Sequence, residues 1–588
     1  MTRTLALAAL LAPLAAPIPA LAQVAATTRT ASPGMVTSAD PRATEAGAEI
    51  LRAGGSAADA AMAMMLALTV VEPQSSGIGG GGFLLHQSAG GPLETIDGRE
   101  KAPAAATPQR FLGPDGKPVP HIQAFPGGKS VGVPGNVRLM ALATKKWGKL
   151  PWRALFAPAI RLAEQGYRVT RPMAAASANL SPLWAGGSTA VAGPEGGAST
   201  GTGAASGRFP DVAALYTQNG KPLVEGATVR NPALAKLLRQ LAARGPDAFY
   251  KGQNATALIK AVTTTSVAPS DMTRADLAAY QAKERAPVCG SYRGYRVCGM
   301  GPPSSGATTV LQILGMLERF DLAKLGQASP VAWHLIAEAM QLAYADRETY
   351  LGDPDFVAVP VAGLIDRGYI AQRSGLIAAD RTLGRYPPGT PPGAAPRTMA
   401  VQPDRPGTTH FIAIDRAGDI ATITSTVEGP FGSQLIANGY VLNNELTDFT
   451  LAPERNGAPV ANRVEGGKRP LSSMAPTIVY DAAGQPVFTV GAAGGKTIIM
   501  QVAKAIIAHV DWKMPAREAI GLGLVFFNQE GLVLEQGTSL VAMQPALEKL
   551  GHTVSVGRLG LKANAAEKTV DGWVGAADPR GVGTALRQ

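Results

Sequence analysis

Long apolar runs, clustered basic residues and metal-ligand motifs are all scarce in this 588-residue sequence. After the N-terminus, no stretch reaches the ~18 uncharged apolar residues that a membrane-spanning helix needs; the richest, 57–71, is shorter and carries Asp59. Lys and Arg exceed Asp and Glu by 54 to 43, but they are scattered without interleaved aromatic residues, which argues against a nucleic-acid surface. The six histidines show no H-E-x-x-H or similar spacing, so we expect isolated structural or surface histidines and no bound metal.

What the sequence does contain is enough apolar material for a large core. Hydrophobic residues make up 46% and charged residues 16% of the chain. This balance excludes wholesale disorder.

The first 22 residues are predicted to be a signal peptide. Arg3 supplies the basic start, residues 5–14 form a short apolar run, and Ala20-Leu21-Ala22 is a small-residue cleavage site. A buried N-terminal helix is the alternative. The prediction places the mature protein, from Gln23 onward, in the periplasm or outside the cell.

The two cysteines, Cys289 and Cys298, are predicted to form a disulfide. If Arg293-Gly294 is a two-residue hairpin turn, the two cysteines lie directly opposite each other. Counting outward from the turn, they form a non-hydrogen-bonded pair, in which side chains come closest. An oxidising compartment would let them bond. Two unrelated buried thiols are the alternative.

Three glycine-rich segments match nucleotide-binding or hydrolase motifs without the structural context that those motifs require. Residues 77–82 match G-x-G-x-x-G, but the predicted order is helix, loop, strand. Residues 128–132 match G-x-S-x-G, but prolines flank them closely on both sides. Residues 491–497 resemble a P-loop that lacks its first glycine. The backbone N–H groups of Gly494 and Gly495, just before a predicted helix, still form a site for negative charge.

A threonine pair follows the most linker-like stretch of the chain, the Pro- and Gly-rich residues 386–407. The next segment is predicted to be a hairpin with the three-residue loop 416–418, which places Thr426 directly opposite Thr408. Two hydroxyls at that separation can form a hydrogen bond. If the chain is cut before Thr408, the new α-amino group, with a pKa near ~8, supplies the base that a threonine nucleophile needs.

Characteristic segments occur along nearly the whole mature chain: GGSAADAAMA, EPQSSGIGGGGF, DGREKAP, GVPGN, PPSSGATTVLQ, GDPDF, TTHF, LNNELTDF, KRPLSSMAPTIV, GAAGGK and GAADPR. With these segments the chain resembles the γ-glutamyltranspeptidases, which are N-terminal-nucleophile hydrolases. The resemblance implies a four-layer αββα fold of the α/β (α+β) class. It also implies one precursor that is cut between Gly407 and Thr408 into a large subunit, 23–407, and a small subunit, 408–588, which together build one αββα unit.

The resemblance implies a binding role for five positions around the substrate's α-carbon. Arg99 would grip the α-carboxylate with its fork of donors, and Ser472 and Ser473 would add hydrogen bonds to it. Glu445 and Asp448 would hold the α-ammonium group.

A second set of positions is implied to carry the chemistry. Thr408 would attack the γ-carbonyl, and Thr426 would orient or activate its hydroxyl. The N–H groups of Gly494 and Gly495 would stabilise the oxyanion.

The chain also departs from the family pattern. Position 428 is Glu, where many members carry a neutral side chain beside the α-amino group, so Glu428 could add a third carboxylate to the ammonium site or point elsewhere. The stretch 448–469 is shorter than in some relatives, and the usual G-S-P-G-G is G-A-A-G-G here.

The sequence therefore predicts ping-pong γ-glutamyl transfer or hydrolysis on glutathione and related amides, with water, an amino acid or a peptide as acceptor and no cofactor. A cephalosporin (glutaryl) acylase of the same fold is the first alternative. Its acyl group has no α-ammonium to match the acidic cluster. The second alternative is a non-catalytic periplasmic γ-glutamyl-binding protein that never matures.

Overall fold

Two large β-sheets form the centre of the molecule. The computed structural model describes residues 33–186, 208–400, 407–528 and 530–588, and these lie in one unit, Ser32–Gln588. The predicted signal peptide lies outside the described residues.

The strands of the two sheets are numbered along the chain. They are β1 Met35–Ser38, β2 Gly81–Gln87, β3 Leu93–Asp97, β4 Lys283–Arg285, β5 Val288–Tyr292, β6 Tyr295–Gly299, β7 Thr408–Ile414, β8 Ile420–Thr426, β9 Thr477–Tyr480, β10 Pro486–Ala493, β11 Lys562–Thr569, β12 Gly572–Ala577 and β13 Thr584–Arg587.

Helices of eight or more residues surround the sheets. Among the described residues they are α1 Pro41–Arg52, α2 Ala57–Val71, α3 Asn136–Trp147, α4 Ala157–Gln165, α5 Arg171–Trp184, α6 Pro232–Arg244, α7 Gly252–Thr263, α8 Gly306–Leu317, α9 Pro330–Tyr350, α10 Arg367–Ser374 and α11 Thr497–Val510. None of the helices in the described part of the chain combines the length and apolar character needed to cross a bilayer.

Short helices and small sheets lie in the segments between these elements. Short α-helices span His121–Ala124, Pro210–Tyr216, Asp247–Tyr250, Arg274–Ala279, Leu322–Leu325, Val361–Leu364, Ala516–Gly521 and Gln544–Lys549. Small sheets pair Tyr167–Arg168 with Thr228–Val229, Thr217–Gln218 with Lys221–Pro222, Ile436–Ala437 with Tyr440–Val441, Glu454–Arg455 with Ala458–Pro459, and Val525–Phe527 with Leu532–Glu535 and Val554–Gly557.

The layers stack as helix, sheet, sheet, helix. The seven-stranded sheet has the order β13-β1-β7-β8-β2-β3-β4, and the six-stranded sheet has the order β12-β11-β10-β9-β6-β5. Strands β7 and β8 pack across β10 of the other sheet, α2 covers the outer face of β7 and β8, and α8 and α11 cover the outer face of the six-stranded sheet. This confirms the predicted αββα fold.

Alternating side chains of β7 show how both faces of the seven-stranded sheet are buried. Phe411 and Ala413 join the apolar cluster beneath α1 and α2. Ile412 and Ile414 join the cluster between the sheets. Successive strand residues point to opposite faces. Thr408, the first residue of β7, therefore lies on the same face as Ile412 and Ile414, which is the face toward the other sheet.

Helix α2 begins where the sequence places its capping box. The Ser56 hydroxyl accepts a hydrogen bond from Asp59 N, and the Asp59 side chain accepts one from Ser56 N. All fifteen residues of α2 are buried, which explains why its apolar run is continuous although the helix does not span a membrane.

The hairpin of β5 and β6 carries the predicted disulfide. Cys289 and Cys298 are cross-strand partners and are bonded to each other, with their Cα atoms 4.1 Å apart. The turn residues Arg293 and Gly294 both have positive φ, 50° and 82°, as a two-residue turn of this kind requires. The predicted register is therefore confirmed.

Candidate active site

Thr408 and Thr426 lie opposite each other, as the hairpin arithmetic predicts. They are the terminal partners of the β7–β8 pair, and the Thr408 hydroxyl donates to Thr426 Oγ1 over 3.2 Å. Gly418 in the connecting loop has φ of 94°, the left-handed position expected for it. Both threonines are nearly buried, at 6% and 2% exposure, so the pair lies in a mostly dry environment.

The Thr426 hydroxyl also contacts the peptide bond before Thr408. It donates to the carbonyl oxygen of Gly407 over 3.0 Å and accepts from the backbone N–H of Glu428 over 2.8 Å. A donor on a carbonyl oxygen stabilises the charge that develops when a nucleophile attacks its carbon. The nucleophile candidate, Thr408 Oγ1, belongs to the very next residue.

Gly407 is packed too tightly to carry a side chain. A Cβ atom there would lie 1.9 Å from the carbonyl oxygen of Glu428. The glycine therefore lets the chain pass close to the end of β8 and holds the Gly407–Thr408 peptide bond against the Thr426 hydroxyl.

Arg99 is the centre of a buried charge cluster beside the threonines. Its guanidinium forms ion pairs with Glu445 and, over 2.5 Å, with Asp448. It also donates to the carbonyl oxygens of Pro470, over 3.2 Å, and Leu471, over 3.0 Å. The sequence interpretation gave Arg99 and the two acids separate partners on a substrate, whereas in this structure they hold one another.

Burial shifts the protonation of two acids in this cluster. Desolvation raises the pKa of Glu445 well above its ordinary value, although Arg99 opposes the shift. Desolvation likewise raises the pKa of Glu100 to about 7, again against the effect of Arg99. Three carboxyl groups face one guanidinium here, so a proton or a further cation stabilises the cluster.

Glu428 enters the same site from the end of β8. Its φ of 74° is unusual for a residue with a side chain, and Asn444 donates a short hydrogen bond to its carboxylate. Coulombic repulsion from Glu428 is among the causes that raise the pKa of Glu445. The carboxylate therefore faces the acidic cluster, and the structure brings it to the side of the site expected to hold an ammonium group.

Ser472 and Ser473 also line the site. The Ser473 hydroxyl accepts from Arg347, on α9, over 2.8 Å. Sequence reasoning did not find Arg347, because it lies within a long helical pattern and far from Ser473 along the chain. A second buried guanidinium thus orients one of the two serines.

The loop between β10 and α11 completes the site. Gly494 and Gly495 have φ of 128° and 60°, both in the region that favours glycine, and α11 begins at Thr497. The N-terminus of a helix favours negative charge. The strand-loop-helix order expected for this segment is confirmed.

These residues line a single small cavity of about 20 Å³. Nine of the ten positions predicted to act in catalysis or substrate binding line this cavity, and the tenth, Gly494, directly precedes the lining residue Gly495. The sequence analysis did not identify Met474 and Ile498. The lining residues are Arg99, Thr408, Thr426, Glu428, Glu445, Asp448, Ser472, Ser473, Met474, Gly495 and Ile498.

Two histidines expected to be isolated are in fact paired. His334 Nδ1 and His552 Nε2 are 2.6 Å apart, and His334 Nε2 contacts the carbonyl oxygen of Ala378 over 2.8 Å. Glu338 lies nearby, but its carboxylate already accepts hydrogen bonds from the hydroxyls of Thr382 and Tyr386. We interpret the group as a structural hydrogen-bond network away from the cavity.

Known proteins are similar to this chain over most of its length. A family model described as γ-glutamyltranspeptidase matches residues 43–587. The chain is 38% identical to a glutathione hydrolase proenzyme of Bacillus subtilis (strain 168), covering 84% of this chain and 81% of the relative. It is 35% identical to an acylase ACY 1 proenzyme of Pseudomonas sp. (strain SE83), covering 92% and 90%. The crystal structure of a cephalosporin acylase from Bacillus halodurans superposes with a TM-score of 0.80 at 25% identity, covering 98% and 99%.

Proposed function

The chain belongs to the γ-glutamyltranspeptidase family, and from this we propose that it transfers or hydrolyses the γ-glutamyl group of glutathione and related amides. Thr408 is the nucleophile, after the chain cuts itself between Gly407 and Thr408. Residues 23–407 and 408–588 then form the two subunits of a heterodimer, exported to the periplasm or beyond.

The observation that carries this proposal is the charge pattern beside Thr408. A γ-glutamyl group presents one carboxylate and one ammonium on its α-carbon. The buried Arg99 guanidinium, with Ser472 and Ser473, is suited to the carboxylate, and Asp448 with Glu445 is suited to the ammonium. On binding, the substrate's two charges replace part of the Arg99–acid pairing, so no charge is left without a partner.

Self-cleavage starts from the contacts around Gly407. Thr408 Oγ1 attacks the Gly407 carbonyl carbon, and Thr426 donates to the carbonyl oxygen as it gains charge. The C–N bond breaks, the Thr408 nitrogen takes the hydroxyl proton, and an ester joins Gly407 to Thr408. Water then cleaves the ester and frees the Thr408 hydroxyl beside the amine that formed when the C–N bond broke.

Turnover uses the amine that cleavage creates. The neutral α-amino group accepts the Thr408 hydroxyl proton as Oγ1 attacks the γ-carbonyl of the donor. The N–H groups of Gly494 and Gly495 stabilise the oxyanion, and the leaving amine takes the proton. Water or an amino acid then removes the γ-glutamyl group from Thr408 by the same route.

An acylase acting on glutaryl groups is the competing function, because one relative is named acylase ACY 1 proenzyme and one structural neighbour is named cephalosporin acylase. A glutaryl group lacks the α-ammonium. It would bring no cation to the acidic side of the site, while its own carboxylate would draw Arg99 away from Glu445 and Asp448. Loss of that buried pairing is costly and disfavours this function. A binding protein that never matures would not need the Thr408–Thr426 pair against a scissile carbonyl.

A comparison of two donors tests the proposal. We expect Asp448→Asn to lower kcat/KM for γ-glutamyl anilide by tens to thousands of fold, because a partly buried charged contact is worth about 2–5 kcal/mol. Glutaryl anilide has no ammonium to lose and should be affected much less. Asp271→Asn is the matched control, since Asp271 pairs with Arg110 outside the cavity. Equal losses on both donors would contradict the γ-glutamyl assignment.

A further inference from the structure

A second cavity, of about 190 Å³, lies at Gly407. Glu72, Gln74, Ser75 and Lys562 also line it, whereas the cavity beside Thr408 is lined by none of these residues. The peptide bond predicted to be cut therefore borders two separate spaces. The volume is ample for several water molecules.

Two buried polar atoms of this second cavity lack partners within the described parts of the chain. Glu72 Oε2 and Gln74 Oε1 make no hydrogen bond there, although each side chain belongs to a residue that is only 6% exposed. Buried polar atoms without a partner are rare and costly. In a cavity of this size, water is the partner that both atoms can accept hydrogen bonds from.

The other carboxylate oxygen of Glu72 is held in place. Glu72 Oε1 accepts a short hydrogen bond from Lys562 Nζ and one of 3.3 Å from the Ser75 hydroxyl. These two donors fix the direction of the carboxylate. Glu72 Oε2 thus remains available as a base.

The cavity is also fixed relative to Thr408. The carbonyl oxygen of Ser75 accepts from Val427 N over 3.1 Å, and that of Gln74 accepts from Phe431 N over 3.3 Å. Val427 directly follows Thr426. On the other side, Lys562 is the cross-strand partner of Ala493, next to the Gly494 loop.

We propose that this cavity holds the water that completes self-cleavage and that Glu72 is the general base for that step. The proposal rests on the maturation described above, in which an ester joins the Gly407 carbonyl carbon to Thr408 Oγ1. Glu72 takes one proton from water as the water oxygen bonds to that carbon. The carbon–Oγ1 bond then breaks, and Thr408 Oγ1 takes the proton of the Gly407 carboxylic acid that forms. Glu72 passes its proton to the water of the cavity, which leaves a Gly407 carboxylate, a Thr408 hydroxyl and a free Thr408 amine.

The ester itself provides the test. Glu72→Gln should form the ester but hydrolyse it slowly, about 100-fold or more below the wild type, as expected for loss of a general base. Because the ester still joins the two segments, the variant would keep the size of the precursor on a denaturing gel throughout a time course. Treatment of the folded precursor with neutral hydroxylamine, which cleaves esters, should convert it into the two subunits. Thr408→Ala cannot form the ester and should stay whole, which controls for cleavage at other bonds.

Further variants separate this function from a structural effect. Glu535→Gln removes another buried, ion-paired carboxylate and should mature at the wild-type rate. If Glu72→Gln does not fold, Glu72→Asp keeps the charge with a shorter reach and should still accumulate the hydroxylamine-sensitive form. Maturation of the Glu72 variants at the wild-type rate, or a slow precursor that hydroxylamine does not cut, would overturn the proposal. A wild type that never separates at Thr408 would instead contradict the maturation itself.

Discussion

The carbonyl of Gly407 is fixed by close packing on one side and a hydrogen bond on the other. In Gly407→Ala, the new Cβ would lie 1.9 Å from the Glu428 carbonyl oxygen, so the scissile bond must move. A shift of about 1 Å at a reacting atom costs about 100-fold in rate. We expect maturation, followed by the loss of precursor on a denaturing gel, to slow by that factor.

The control for this variant is another glycine. Gly375 has an ordinary helical φ of −57°, and a Cβ there meets nothing nearer than 3.3 Å. Gly375→Ala should mature normally. If Gly407→Ala does so as well, the peptide bond is not held as described.

Thr426 is expected to act through its hydroxyl rather than its shape. Thr426→Val keeps the volume but removes the donor to Gly407 and the acceptor for Thr408. Loss of one such donor to a developing oxyanion costs about 100- to 1000-fold in rate. We expect Thr426→Val to mature that much more slowly and Thr426→Ser to recover most of the rate. Valine and serine variants with equal half-times would show that the hydroxyl is not used.

Single residues also show where sequence reasoning was incomplete. Most of the residues that line the site were found because they belong to family motifs, and Thr426 was found from the hairpin register. The pairing of Arg99 with the two acids was not found, because Arg99 lies 346 positions from Glu445 and 349 from Asp448. No local pattern predicts which buried acids a distant guanidinium pairs with.

At the scale of elements, hairpins were the most predictable features. The registers of Thr408 with Thr426 and of Cys289 with Cys298 follow from turn length alone, because two strands joined by a tight turn leave no other pairing. The pairing of His334 with His552, 218 positions apart, depends on how distant elements pack. The sequence therefore predicted these histidines wrongly as isolated.

His410 on β7 makes the sheet-to-sheet packing sensitive to acid. Its ring contacts the hydroxyls of Thr422 and Thr424, and a Cβ on Gly491 of β10 would lie 2.3 Å from it. Burial lowers the pKa of His410 from 6.5 to about 3. Between those values the unfolded chain binds a proton here and the folded chain does not, so stability falls as pH falls, by up to about 1.4 kcal/mol per pH unit.

A variant isolates this contribution from other titrating groups. His410→Gln keeps hydrogen-bonding capacity but cannot be protonated. We expect its melting temperature to fall less steeply than that of the wild type between pH 6.5 and pH 4, measured by calorimetry. Parallel pH profiles for the two proteins would contradict a buried, neutral His410.

At the scale of the whole molecule, the four layers explain why the site lies where it does. The first residue of β7 and the loop after β10 meet between the sheets. A nucleophile and a helix N-terminus therefore come together, although 86 positions separate Thr408 from Gly494. The layer order was predictable from the family resemblance. The size of the cavity, about 20 Å³, was not, because it depends on how side chains from distant parts of the chain pack together.

The most direct test of the central claim is the intact mass of the small chain, measured before and after brief mixing with a γ-glutamyl donor. We predict a chain that spans 408–588, begins at Thr408 and gains the mass of one γ-glutamyl group, which an amino-acid acceptor then removes. The Thr408→Ala protein should remain a single chain without the adduct. A small chain that begins at another residue, or a γ-glutamyl group attached elsewhere than Thr408, would contradict the proposed enzyme.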